Sequence, residues 1–268
     1  MNQDQYCRTE LPKLMEINDV VKEGKSQSSF FFREKLDCKP GQFIMVWFPG
    51  VDEKPMAVSY HSKNEFAFTA QSIGNFTQGL EKLRKGHKLG IRGPYGNSFS
   101  LEENSCIVAG GIGFASLSTL AEALKNPLII YGARDKDNLI YLRRFKNKNM
   151  VVATDDGSFG RKGYTTDVLD EILSKRGIKL VQTCGPEIMM KKVLDICNRH
   201  KVECKASVER YMSCGFGICG KCMINDKIAC IDGPIFNSRQ LNRMPEFGNY
   251  ARLKSGRKVS LKGYHERR

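Results

Sequence analysis

The chain has no run of 18 apolar residues and no signal-peptide pattern, so no membrane-spanning helix is expected and a soluble, cytoplasmic protein is. It has no zinc-finger spacing and no aromatic-rich RNA-binding motif, so a net charge of +14 does not by itself make it a nucleic-acid binder. No internal repeat organises it. Its 268 residues suit two modest domains plus a small module. The positive charge is concentrated: from Arg239 to Arg268 nine Lys/Arg oppose Glu246 and Glu266, a net of +7. That stretch reads as a solvated basic tail, with a protein-docking surface or non-specific nucleic-acid contact as alternatives.

Cysteine, in contrast, is plentiful and unevenly placed. Cys7, Cys38, Cys106, Cys184, Cys197 and Cys204 are scattered, several in apolar surroundings, and read as buried thiols in a reducing compartment. The other four lie within CGFGICGKCMINDKIAC, at Cys214, Cys219, Cys222 and Cys230, spaced C-x4-C-x2-C-x7-C. Structural zinc sites bring ligands in two separated pairs, whereas this uneven run matches the plant-type order for a [2Fe–2S] cluster. Glycines at 215, 217 and 220 suit a loop whose amides turn toward sulfur. The fourth spacing is shorter than the plant-type one, and zinc or disulfides stay as alternatives.

The first hundred residues read as short strands punctuated by Gly and Pro: GQFIMVWFP (41–49), EFAFTAQSI (65–73) and HKLGIRGPYG (87–96). This pattern predicts a small antiparallel barrel. EKPMAVSY (53–60) reads as a loop entering a strand. NFTQGLEKLRKG predicts a short helix with Thr77 as N-cap, Leu80 and Leu83 on one face and Gly86 as the stop. From about residue 104, apolar strands alternate with helices, which predicts a parallel sheet covered on both faces. The cysteine module begins near Ala206. The expected architecture is α+β and multi-domain: residues 1–102 an antiparallel β-barrel, 103–205 an α/β parallel-sheet domain, and 206–268 a metal-cluster module with a basic C-terminal tail.

Two glycine-bearing turns follow strands of the second domain, AGGIGFAS (109–116) and TCGP (183–186). Each opens a helix, whose first amides favour a phosphate, and parallel sheets bind ligands at the carboxyl ends of their strands. The first turn is not a full G-x-G-x-x-G. Arg134 after LIIYG is a weak pointer to a 2′-phosphate, and Asp155 and Asp156 read as turn chemistry rather than catalysis.

Taken in order, EKPMAVS, IGNFT, GPYGNSF, AGGIG, TCGP and CGFGICGKC…CIDGP resemble the ferredoxin–NADP reductase superfamily, and within it the electron transfer subunits of class 1B dihydroorotate dehydrogenase. The likeness runs from about Gln42 to Phe236. It implies FAD on the barrel, NAD on the α/β domain and a [2Fe–2S] cluster held by Cys214, Cys219, Cys222 and Cys230. The family's Arg-Pro-x-Ser motif maps onto Lys54, Pro55, Met56 and Ala57. Lysine for arginine leaves a point charge instead of a bidentate fork, and alanine for serine removes a hydroxyl that Ser59 is expected to supply. The family's strand contact maps near Thr69, Ala70 and Gln71, and its Gly-Thr pair onto Phe76 and Thr77. Gly110, Gly111 and Gly113, with Cys184, Gly185 and Pro186, map onto the nicotinamide site. The implied partner is an FMN-containing dihydroorotate dehydrogenase catalytic subunit, in a heterotetramer with two copies of each chain, serving pyrimidine biosynthesis. Alternatives are a subunit of another flavin/iron–sulfur NAD(P)H oxidoreductase, of the ferredoxin–NADP oxidoreductase or hydrogenase diaphorase type, and, more remotely, a zinc-bearing nucleic-acid-binding protein.

Overall fold

A computed structural model describes residues 11–175 and 177–265. Cys7, Glu266, Arg267 and Arg268 lie outside them. No helix among the described residues is long and apolar enough to cross a membrane.

Strands β1 (Lys13–Glu16), β2 (Asp19–Lys22), β3 (Gln27–Phe32), β4 (Phe43–Phe48), β5 (Asp52–His61), β6 (Phe66–Gln71) and β7 (Lys88–Tyr95) form a curled seven-stranded antiparallel sheet, ordered β1-β7-β4-β5-β6-β3-β2. Alternation selects its interior. Phe30, Phe32, Ile44, Val46, Phe66 and Phe68 point inward, and the Phe30–Phe68 and Phe32–Phe66 rings stack at 5.1 Å across the β3–β6 ladder. Helix α1 (Asn75–Glu81) plugs one end with Phe76 and Leu80. Two local expectations are corrected. EKPMAVSY is strand throughout, because β5 pairs with β4 from Phe43↔Ala57 to Phe48↔Asp52. Thr77 is the third residue of α1 rather than its cap: Gly74 is the N-cap, and the Thr77 hydroxyl reaches back to accept from the Gly74 and Ile73 amides at 3.1 and 3.0 Å.

The second sheet contains β8 (Ser105–Gly110), β9 (Leu128–Ala133), β10 (Met150–Thr154), β11 (Arg161–Lys162), β12 (Leu180–Cys184) and β13 (Glu203–Ser207), all parallel, in the order β11-β10-β9-β8-β12-β13. Alternate residues of β8 serve opposite faces. Ile107 and Ala109 pack toward helix α2 (Phe114–Ala123), Cys106 and Val108 toward α3 (Thr165–Leu173) and α4 (Glu187–His200). The chain runs outward from β8 to β11, then crosses back to β12, so the sheet's switch point lies between β8 and β12.

The cysteine-rich segment carries a small hairpin, β14 (Met223–Ile224) and β15 (Lys227–Ile228), then adds β16 (Ile235–Asn237) antiparallel to β13 at the edge of the parallel sheet. After the short α5 (Ser238–Leu241) comes a second hairpin, β17 (Tyr250–Arg252) and β18 (Lys258–Ser260), closed by α6 (Leu261–His265). The expected loose basic tail is thus folded over its described part, around Ala251, Leu261 and Tyr264. Buried acids anchor it. Glu246 accepts from Arg252 at 3.2 Å, Lys258 at 3.3 Å and the Asn225 amide of the β14–β15 turn at 3.2 Å. Burial alone would raise the Glu246 carboxyl; the Asn225 amide and the Lys258 and Arg252 charges outweigh it and hold the group below its usual range. Glu187, the first residue of α4, is bidentate to Arg210 and also accepts the Gly248 amide at 2.8 Å, with side-chain exposures of only 8% and 1% for the acid and base.

Removing one partner of such a buried pair strands the other charge, so Arg210→Met is expected to destabilise the protein by about 3–5 kcal/mol. A lower urea midpoint checks this; an unchanged midpoint would contradict it.

Candidate functional site

The four module cysteines form two pairs. All four are free thiols: Cys214 is hydrogen-bonded to Cys219, whose amide also donates to Cys214 Sγ at 3.5 Å, and Cys222 is hydrogen-bonded to Cys230. Two thiol pairs fit two irons held by four thiolates. Cys222 and Cys230 are buried, Cys214 is partly so and Cys219 is exposed, so one end of the site faces solvent. For Cys214, burial pushes the thiol up, but the amides of Cys219, Phe216 and Ile218 outweigh it and draw it down. The shared hydrogen bond lowers Cys222 to about 7 and pushes Cys230 up. Thiolate is the ligating form, and the surroundings of Cys214 and Cys222 favour it. Gly215 and Gly217 take positive φ; a Cβ on Gly217 would meet Ile231 of the same segment at 2.7 Å, and one on Gly215 would meet Met45 at 2.8 Å and push the loop off its seat.

That seat is the barrel. Arg92 of β7 is 7% exposed and joins three segments. Its Nε and Nη2 donate to Glu53 of β5 at 2.7 and 2.6 Å, its Nη1 donates to the Cys214 carbonyl, and its Nη2 also donates to the Ser213 carbonyl at 3.4 Å. The guanidinium also lies 5.4 Å from the Phe216 ring and 5.6 Å from that of Tyr95. Burial disfavours its charge, yet the Glu53 hydrogen bonds and charge leave the guanidinium held more firmly protonated than usual. Glu53, Arg92 and Tyr211 escaped the sequence reading, since an arginine in GIRGPYG carries no signal of what it meets 122 residues later.

Beside Glu53, Lys54, Pro55, Met56 and Ala57 occupy the half of β5 that pairs only with β4. The β5–β6 ladder runs from His61↔Phe66 to Val58↔Phe68, shifts register there, and stops. Thr69, Ala70 and Gln71 continue along β3 instead. The two strands therefore diverge, and each turns an edge without ladder partners toward the gap. Such a slot suits a flat ring with polar edges. At its end the first-turn amides of α1 have no capping side chain, because Gly74 has none, and a Cβ at Gly74 would meet nothing within 4 Å. These features fit a flavin dinucleotide. Ala70 and Phe76 point into the barrel core and offer backbone only. Lys54 Nζ pairs with Asp52 at 2.7 Å and lies 4.7 Å from the Tyr211 ring.

Ser59, expected to supply the replacement hydroxyl, is buried. The bulge between Val58 and Tyr60 turns it inward, 1% exposed, where it bonds Thr69 Oγ1 at 2.9 Å. Thr69 also bonds Ser29 at 2.7 Å and the Tyr141 hydroxyl, and Arg144 donates to the Ser59 carbonyl at 3.0 Å. Both hydroxyls are thus committed to a buried network joining the barrel to the α/β domain.

The two glycine turns meet at the switch point. A Cβ on Gly110 would strike Met189 Sδ at 2.6 Å, and one on Gly113 would strike the Cys184 carbonyl at 2.5 Å. These glycines, with Gly185 against Gly110, serve the contact between turns. Gly111 differs: at φ +51° a Cβ there would meet nothing within 4 Å, so its backbone borders open space. Its carbonyl accepts from the buried Tyr131 hydroxyl at 3.3 Å. Cys184 Sγ lies 3.8 Å from the Ser207 carbonyl, and burial keeps it a thiol. Pro186 is the N-cap of α4 and leaves the first amides there without a side-chain cap. The turn at Gly111–Gly113 packs against β6, and α2 against β5, so this crevice adjoins the slot in the barrel. Arg134 is exposed beyond β9, while Asp156 accepts the Ser158 amide and hydroxyl at 2.9 and 2.7 Å, which is turn chemistry.

Residues 209–242 match the family described as the iron–sulfur cluster binding domain of dihydroorotate dehydrogenase B. A Methanocaldococcus jannaschii protein described as "Probable dihydroorotate dehydrogenase B (NAD(+)), electron transfer subunit" is 43% identical over 93% of this chain and 99% of its own. A Pyrococcus horikoshii protein of the same description is 44% identical over 92% and 98%. Among solved structures, one reported for an NADH-dependent reduced ferredoxin–NADP oxidoreductase superposes with a TM-score of 0.79 at 29% identity, covering 88% of this chain and 93% of that one. Phthalate dioxygenase reductase shares the fold at a TM-score of 0.59 and 17% identity, over 70% of this chain and 64% of that one.

The glycines should separate by substitution. Gly113→Ala drives a Cβ into backbone and is expected to lower thermal stability by roughly 1–3 kcal/mol. Gly111→Ala costs about 1 kcal/mol of backbone strain but obstructs the crevice, so it is expected to weaken nicotinamide nucleotide binding at least tenfold by titration calorimetry. Unchanged binding in Gly111→Ala would contradict the placement.

Proposed function

The chain belongs to the family of dihydroorotate dehydrogenase B electron transfer subunits, and on that premise we propose that it passes electrons between NAD and an FMN-containing dihydroorotate dehydrogenase catalytic subunit in pyrimidine biosynthesis. The observation that carries this reading is one of arrangement. The glycine crevice adjoins the slot between β5 and β6, and the same β5 carries Glu53, which accepts from the Arg92 that holds the cysteine loop. When bound, FAD supplies the conversion between a two-electron hydride and the single electrons of a [2Fe–2S] cluster.

The chain's own residues seat and order these groups. Gly111 borders NAD, on a crevice that Gly110 and Gly113, with Cys184, Gly185 and Pro186, shape by bringing the two turns together. Lys54, Pro55, Met56, Ala57 and the backbone of Thr69, Ala70 and Gln71 line FAD, with Phe76 and Thr77 bringing the α1 amides to its phosphates. Lys54 is drawn partly toward Asp52 and so offers a shared charge. Ser59 takes no part. Cys214, Cys219, Cys222 and Cys230 hold the irons, and the exposed Cys219 end is where electrons leave for the catalytic subunit. Arg134, the residue that points to a 2′-phosphate, has the Asp155 charge beside it, which favours NAD over NADP. A heterotetramer of two electron-transfer and two catalytic chains in the cytoplasm is the assembly this reading implies, and buried unbridged Cys197 and Cys204 suit that reducing compartment.

Anaerobic purification followed by metal and flavin analysis is expected to give about two irons and one FAD per chain, a brown-yellow protein whose flavin bleaches with NADH. Zinc without flavin would contradict the proposal.

A further inference from the structure

Arg92 and Glu53 form a buried, oppositely charged couple directly behind one end of the cysteine loop. Their side chains are 6% and 21% exposed. The arginine touches the loop backbone at Cys214 and lies against Phe216; the glutamate sits one side chain further away, on the strand whose next residue is Lys54. The contact does more than tether. A guanidinium removed from water, donating to the carbonyl of a ligating cysteine, favours any state of the site that carries an extra negative charge. The carboxylate behind it opposes that effect at slightly longer range.

We propose that Arg92 and Glu53 are positioning residues that set the reduction potential of the cluster held by Cys214, Cys219, Cys222 and Cys230 through opposing charges, while pinning the loop to the flavin-lining strand β5. The proposal rests on the cluster-and-flavin reading above. It goes further by assigning the tuning to a pair outside the ligand set, contributed by the barrel instead of the cysteine module.

Charge tuning and simple bracing predict different signs. If the pair only braces the loop, Arg92→Gln and Glu53→Gln both loosen it and shift the potential alike or not at all. If the charges act, the two shifts are opposite. The experiment is an anaerobic redox titration of the full-length, cofactor-replete protein, following the two-iron electron paramagnetic resonance signal. Arg92→Gln is expected to make reduction on the order of tenfold less favourable, equal to about 59 mV downward for a one-electron couple. Glu53→Gln is expected to shift it upward by a smaller factor, and the double variant to return toward wild type. Shifts of the same sign, or none in either variant, would overturn the proposal. Should Arg92→Gln fail to keep its iron, Glu53→Gln decides alone: an upward shift supports the proposal, and no shift or a downward one overturns it. A wild-type protein lacking any reducible two-iron signal would strike instead at the cluster assignment.

Discussion

The bidentate contact between Arg92 and Glu53 is the interaction on which the relation between the parts depends. A loop rich in glycine and cysteine cannot make its own hydrophobic core, and in this chain it leans on β4 and β7 through Met45, Tyr95 and Arg92. A buried guanidinium is costly unless every donor finds an acceptor. Here the carboxylate of β5 takes two donors and the loop carbonyls take others, so the barrel strand, the neighbouring strand and the cysteine loop satisfy one another. Losing any one of the three leaves charge or backbone unpaired.

A similar economy holds at the other joints. Glu187 opens α4, where the helix dipole favours an acid, and also neutralises Arg210 at the start of the cysteine module and accepts the Gly248 amide. Between the barrel and the parallel sheet, Ser29, Thr69, Ser59 and Tyr141 share hydroxyl contacts while Arg144 reaches the Ser59 carbonyl. Each joint is polar and buried, which fixes orientation as well as contact. Electron transfer between separate redox groups needs such fixed spacing more than it needs a catalytic side chain.

How much of this was legible beforehand follows from which signals are local. The βα alternation after residue 104 and the four-cysteine spacing are local patterns, and the sheet and the thiol pairs follow them. The two glycine turns were legible as ligand candidates, but the sequence does not distinguish Gly113, which touches the Cys184 carbonyl, from Gly111, which borders open space. EKPMAVSY follows Pro49-Gly50 and so reads as a loop entering a strand, whereas tertiary pairing with β4 makes all of it strand. Ser59 lies at a bulge, which reverses the side a residue faces without a mark in composition. The basic stretch reads as a tail because its apolar residues, among them Leu241, Phe247, Ala251, Leu261 and Tyr264, are spread over short helices and a hairpin and follow no single period. Arg92 with Glu53 was invisible for the most general reason: pairs distant in sequence leave no periodicity.

The measurement that bears most directly on the electron-transfer account is rapid mixing of the anaerobic, cofactor-replete protein with NADH, following flavin absorbance and, in freeze-quenched samples, the two-iron resonance. The account predicts that the flavin bleaches first and that the two-iron signal rises afterwards, with one proton-bearing two-electron donor consumed per pair of electrons delivered. A cluster that dithionite reduces but NADH never does, even with the flavin bleached, would contradict it.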